Sequence, residues 1–398
     1  MRRGRRACLG FLVVGAIGCG PQRIHAGDHD ASATSGTSTD ADTTAATDLP
    51  DPGAPLCFAA REIYEYPHQG VMTFPDTRGD GVPELWFVWA FLRSTSTYGL
   101  ARTQDRRYES YAGFDERVIG WADVDGDGRD DAITCPSQGC PTAWLSTTGT
   151  PSEALVLDLD PDEGIVGWSD IDGDGFADAI TARDEVLRVW RGDGSGSFVP
   201  MAQVSLSPWR SAAGLLLSRT DHRTFAIVTC TGCTAEVRLL HLDDAGVLQT
   251  LAVSEPLRSP RLLALESTPA GALRVVVEHL SPDSERLVDL LVREGDGLVP
   301  SLRIHDIETA EAGDFDGDGR LDLMWRAQGQ TWVQPALGQT EEVMAVDVDL
   351  VQANAGLFWS GEPPPRVADL DGNGRDEIVQ ARFVGDGHLE AIELVDCP

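Results

Sequence analysis

From residue 56 to the C-terminal end, short apolar runs alternate with clusters of Gly, Asp and Pro. Runs such as EVLRVWRG, AEVRLLHL, RLVDLLV and EAIELV are rich in β-branched and aromatic residues, and that pattern predicts strands. The pattern also repeats. Residues 118–134, VIGWADVDGDGRDDAIT, and 165–181, IVGWSDIDGDGFADAIT, agree at eleven of seventeen positions, so they are copies of one unit.

The copies set a register. The first aspartates, Asp123 and Asp170, are 47 apart, and the next clear copy begins at Asp314, 144 further on, or three steps of 48. Stepping by 48 from Asp170 lands on Ser218 and then Glu266, where apolar runs flank eroded loops. One step back from Asp123 gives Asp76, and 55 forward from Asp314 gives Asp369. Each unit holds an apolar run, an acidic loop and three further strand-like runs, and four strands per unit is one propeller blade. The expectation is an all-β, seven-bladed β-propeller over 56–398. The last unit has room for three strands, and CFAAREIYEYP at 57–67 can supply its fourth, closing the ring with strands from both ends.

The loops carry the chemistry. DVDGDGRDD at 123–131 puts carboxylates at positions 1, 3, 5 and 9 and glycine at position 6. Alternate residues of a tight loop can aim several carboxylates at one hard cation, and a backbone carbonyl at position 7 adds an oxygen. An EF-hand needs an acid at position 12, where this chain has Thr134, Thr181, Trp325 or Gln380. The acid at position 9, namely Asp131, Asp178, Asp322 or Glu377, must close the site instead.

DxDxDGxxD between two strands at this period resembles the FG-GAP/VCBS repeats, the calcium-bearing blades of integrin α-subunit-type propellers. The resemblance implies about four Ca²⁺ sites. Their side-chain ligands are Asp123, Asp125, Asp127 and Asp131; Asp170, Asp172, Asp174 and Asp178; Asp314, Asp316, Asp318 and Asp322; and Asp369, Asp371, Asn373 and Glu377. Arg129, Phe176, Arg320 and Arg375 occupy the carbonyl position. At 76–84 Arg78 puts a positive charge where a ligand belongs, which leaves calcium binding there open. The 218 and 266 units are expected to be metal-free.

The formal charge of −33, from 64 acidic against 31 basic residues, argues against nucleic-acid binding. MRRGRR followed by ACLGFLVVGAIG has the basic and apolar regions of a secretory signal over 1–18. Ala16-Ile17-Gly18-Cys19 resembles a bacterial lipobox, which implies lipid on Cys19, and Gly20 points to the outer membrane. Residues 19–55, rich in Ala, Ser, Thr, Asp, Gly and Pro, read as a tether. In an exported domain the register pairs Cys57 with Cys397, Cys135 with Cys140 and Cys230 with Cys233.

No HExxH or GxSxG motif occurs, and no enzyme is expected. The reading is a monomeric, lipid-anchored envelope propeller that binds an extracellular protein or glycan in adhesion or recognition. The alternatives are a lectin or carbohydrate-active enzyme, with Trp121 and Trp168 as stacking platforms, and a purely structural component. Packing between blades is the plainer role for both tryptophans. The Arg-Gly-Asp tripeptides at 78–80 and 191–193 read as turns of the repeat rather than adhesion ligands.

Overall fold

The computed structural model describes residues 57–65, 71–91, 94–102, 108–114, 118–134, 141–147, 149, 151–160, 163–207, 211–218, 221–231, 234–268, 271–338, 343–350, 366–382 and 388–395. These residues form strands and turns with no helix among them. Three four-stranded antiparallel sheets follow the chain directly: Val71–Thr73 to Tyr108–Phe114, Val118–Ala122 to Glu153–Val156, and Gly164–Ser169 to Phe198–Ser205. A fourth runs from Thr309–Gly313 to Met344–Val346. Between them lies one eight-stranded sheet, made of the meanders Ser211–Leu217 to Leu248–Ser254 and Arg258–Ser267 to Gly297–Ile304. Its halves join by a two-residue parallel bridge, Val253 with Gly297 and Ser254 with Leu298. The last sheet has the order Cys57–Glu65, His388–Val395, Glu377–Arg382, Arg366–Ala368, so a strand from the start of the described chain completes the final meander. Arg61 fixes that pairing with two bonds to Glu393, at 3.0 and 3.2 Å.

The first strands of the meanders pack side by side in chain order from Val118–Ala122 round to Arg366–Ala368. Cys57–Glu65 then meets Tyr108–Phe114, which brings the last sheet against the first. The hydrophobic core lies between the sheets. Ile133 and Ala143 of one sheet pack with Trp168, Ala179 and Phe198 of the next, and Ile180 and Val189 pack with Phe225 and Leu240 beyond it. Leu239 and Val237 meet Val275 and Leu291 across the bridged pair. Met324 and Val333 meet Ile378 and Ile392 near the closure. A sheet covered on both faces needs apolar residues at successive positions of its central strands. Asp131–Thr134 and Asp178–Arg183 accordingly begin with four buried residues each.

Trp121 and Trp168 belong to this core. Trp121 is 3% exposed, packs with its ring tilted 51° against Trp86 at 4.9 Å and donates its indole N–H to Thr73 Oγ1 at 3.0 Å. Trp168 is 6% exposed and lies against Gly120, where a Cβ would come 2.7 Å from its ring. Both rings join neighbouring sheets, so a sugar platform cannot be built on them.

In register, Cys57 stands opposite Val395, two residues before Cys397. Cys230 stands opposite Ala235. Cys135, Cys140, Cys233 and Cys397, like the signal, Cys19 and the tether, lie outside the described residues.

Candidate metal centres

Each acidic loop joins the first strand of its meander to the second. The position-1 aspartate folds it: Asp170 accepts from Gly173 N and Asp174 N through Oδ1, at 2.7 and 3.1 Å, and from Gly175 N through Oδ2 at 3.0 Å. Asp314 does the same with Gly317 and Gly319, both at 2.9 Å. The glycines at positions 4 and 6 lie in the left-handed region, for example Gly173 at φ 81° and Gly175 at φ 93°, which only glycine adopts without strain. The need for glycine at position 6 was legible from the motif; position 4 is equally constrained.

The position-9 acids are buried: Asp131, Asp178 and Asp322 are 0% exposed and Glu377 is 3%. Each accepts the N–H of position 2, at 2.9 Å from Val124, Ile171 and Phe315 and 2.7 Å from Leu370. The other oxygen of the three aspartates accepts from the strand beyond, from Ser146 N, Gly192 N and Ala336 N at 2.8, 3.1 and 2.8 Å. The carboxylate that closes the loop therefore also ties three strands of its sheet together.

Four trios bring ligand oxygens within 4.8 Å of one another: Asp123, Asp125 and Asp127; Asp170, Asp172 and Asp178; Asp314, Asp316 and Asp322; and Asp369, Asp371 and Glu377. Asp131, Asp174 and Asp318 fall outside their trios. At position 5, arginines hold the carboxylates: Arg129 pairs with Asp127 at 2.8 Å, and Arg320 pairs with Asp318. Position 7 in the 170 loop is Phe176, and there Arg191 reaches across from Val186–Gly192 to Asp174 and Asp172, at 3.0 and 3.1 Å. No motif signals this contact, because it joins a strand to a loop 17 residues earlier.

Burial is the main cause of the raised pKa values. It pushes Asp131 and Asp178 up to about 7 and Asp322 and Glu377 up to about 8, with the neighbouring aspartates adding to the rise. Asp123 rises to about 6 for the same reason, and its Oδ1 is buried with no hydrogen-bond partner of good geometry. Clustered, buried carboxylates with oxygens left to share fit a hard cation. These clusters can hold metal ions.

Successive loops also bind each other. Ala177 N donates to Asp123 O at 2.9 Å, Asp376 N to Asp314 O at 2.8 Å and Asp130 N to Asp76 O at 2.9 Å. Asp130 and Asp376 return the contact, accepting from Asp76 N at 2.7 Å and Asp314 N at 2.8 Å. The eroded loops have other solutions: Ser218 N bonds Thr224 O at 2.8 Å, and Thr268 closes a turn with Gly271 N at 2.8 Å.

The Arg-Gly-Asp at 191–193 is fully employed. Arg191 holds the 170 loop, and Asp193 caps a turn by accepting from Ser195 N and Ser195 Oγ at 2.9 and 2.7 Å. A Cβ on Gly192 would lie 2.3 Å from Ala177 O, a backbone atom that cannot move aside. Gly192→Ala is expected to destabilise the protein by about 1–3 kcal/mol, read from urea unfolding midpoints. An unchanged midpoint would show that the strand can shift.

Residues 170–217 match the FG-GAP-like repeat family. The WD40 domain of coronin from Toxoplasma gondii is similar over 86% of this chain and 87% of that chain, at 12% identity and a TM-score of 0.53, a likeness of fold. A protein from Lactobacillus plantarum matches at 10% identity over 67% of this chain and 81% of its own, with a TM-score of 0.42. The Tc holotoxin pore of Photorhabdus luminescens matches at 14% identity over 85% of this chain and 14% of its own, with a TM-score of 0.44. No curated protein matches the sequence. One unit, residues 170–217, is FG-GAP-like, and the described chain folds as successive four-stranded meanders with cores between them, in the manner of a β-propeller.

Proposed function

We propose that this propeller is a calcium-stabilised, seven-bladed binding module of the cell envelope, exported, lipid-anchored through Cys19 and monomeric, which presents a surface to an extracellular protein or glycan. The observation that carries the calcium reading is the set of buried position-9 acids, each within a loop that gathers carboxylates. Asp123, Asp125, Asp127 and Asp131 would hold one ion, with equivalent residues in the 170, 314 and 369 loops, and bound calcium would neutralise carboxylates that burial otherwise forces toward protonation. The seven-bladed reading counts the halves of the bridged eight-stranded sheet as separate blades. A Cys57–Cys397 bond would lock the closing blade. Cys57 is disulfide-bonded, and its register neighbour Val395 is two residues from Cys397.

We read the buried His279–Asp289 pair as structural rather than catalytic. His279 Nε2 lies 2.9 Å from Asp289 Oδ2, and Arg303 clasps both oxygens of Asp289 at 2.7 Å. The pair is a strut inside its sheet. The test displays the purified protein on glycan arrays and cross-links it on intact cells, with calcium and with chelator. The proposal expects capture of one glycan class or one envelope protein, lost when calcium is removed. Capture that is indifferent to chelator, or turnover of the captured sugar, would count against it.

A further inference from the structure

We infer that the loop at 76–84 carries its own cation, the Arg78 guanidinium taking the role an ion has in the other four loops. The inference rests on the cation reading of those loops. This loop keeps their backbone: Asp76 accepts from Gly79 N, Asp80 N and Gly81 N at 2.7, 3.1 and 2.9 Å, as Asp170 does in its own loop. Position 9 is again a buried carboxylate, Glu84, 3% exposed.

The two residues that face Glu84 are what differ. Position 3, aspartate in the other four loops, is Arg78, and its Nε lies 3.3 Å from Glu84 Oε1. Position 2 is apolar in those loops, as Val124, Ile171, Phe315 and Leu370. Here it is Thr77, and both its N–H and its hydroxyl donate to Glu84 Oε2 at 2.8 Å. Thr77 Oγ1 also lies 3.1 Å from Gly149 O, which anchors it beyond the loop. Each substitution gives the buried carboxylate positive charge or a donor, which partly offsets the burial that raises Glu84 to about 7. The Asp76–Asp130 contacts then join this loop to the 123 loop.

The test counts calcium on the intact chain by native mass spectrometry through a calcium titration, for the wild type, Arg78→Asp and Arg78→Met. The wild type is expected to take four ions, one for each acidic trio, and Arg78→Asp one more. Arg78→Met should take the wild-type number and melt several degrees lower, by the same amount with calcium and with chelator, because no ion replaces the lost guanidinium. A wild type that takes one ion more than the four trios, or a folded Arg78→Asp that stays at the wild-type count, overturns the inference. If Arg78→Asp does not fold, Arg78→Met decides: a melting temperature equal to wild type in chelator overturns it. A wild type that takes no calcium removes the reading of the four loops, and the same Arg78→Met comparison still decides the role of Arg78.

Discussion

Replacing Asp322 by alanine is expected to lower the unfolding free energy of the calcium-loaded protein by about 3–5 kcal/mol, the cost of deleting one partner of a buried charge arrangement. Asp322 is 0% exposed and accepts from Phe315 N at 2.9 Å and Ala336 N at 2.8 Å. Alanine strands both donors in the interior, at about 1–3 kcal/mol each, and removes a carboxylate from the Asp314–Asp316 cluster. The damage should spread to the 369 loop through the Asp376–Asp314 contacts. Asp322→Asn keeps one acceptor and should cost less, with most of its loss visible only when calcium is present. Urea unfolding of both variants in calcium and in chelator measures this. An alanine variant within about 0.5 kcal/mol of wild type, the range of ordinary surface changes, would mean that the position-9 acid does not hold the blade together.

Chelation of the wild type should lower the melting temperature by an amount that grows with pH between about 4 and 8. A site held at a thousand times its dissociation constant contributes about 4 kcal/mol, so several sites lost together give the largest shift expected of this protein. The pH direction follows from the carboxyls. Burial raises Asp131 and Asp178 to about 7 and Asp322 and Glu377 to about 8, against about 4 in an unfolded chain. Stripped of calcium, the folded protein retains protons that the unfolded chain releases, so the contribution of these groups to stability is fully present below about pH 4 and is lost as pH rises toward 8. Calcium abolishes that loss by holding the ionised forms. Melting curves at a series of pH values, with calcium and with chelator, should diverge toward pH 8. Curves that converge there would contradict the assignment.

Much of this architecture was legible because the repeat is long and regular. A period near 48 placed strands around Ser218 and Glu266 even where the loops are eroded, and Ser211–Leu217, Thr224–Thr231, Arg258–Ser267 and Leu273–Leu280 lie there. The position-9 acids were found by elimination of position 12, and the structure buries all four. What stayed hidden depends on contacts between strands that no local pattern encodes. Arg191 stands in for the arginine that Phe176 displaces, and Phe176 instead wedges against Gly126 of the preceding loop, where a Cβ would lie 2.5 Å from its ring. The bridging of the two eroded units into one sheet was equally invisible, although both lack an acidic loop and share a large apolar core.

The most direct measurement is a crystal structure of the protein grown in calcium, with anomalous data to identify the ions. The account predicts a calcium peak about 2.3–2.6 Å from the carboxylate oxygens at 123–127, 170–178, 314–322 and 369–377, and none beside Glu84, where Arg78 remains. Loops with no ion, and Arg129, Arg191 and Arg320 still paired to their position-5 aspartates, would contradict it.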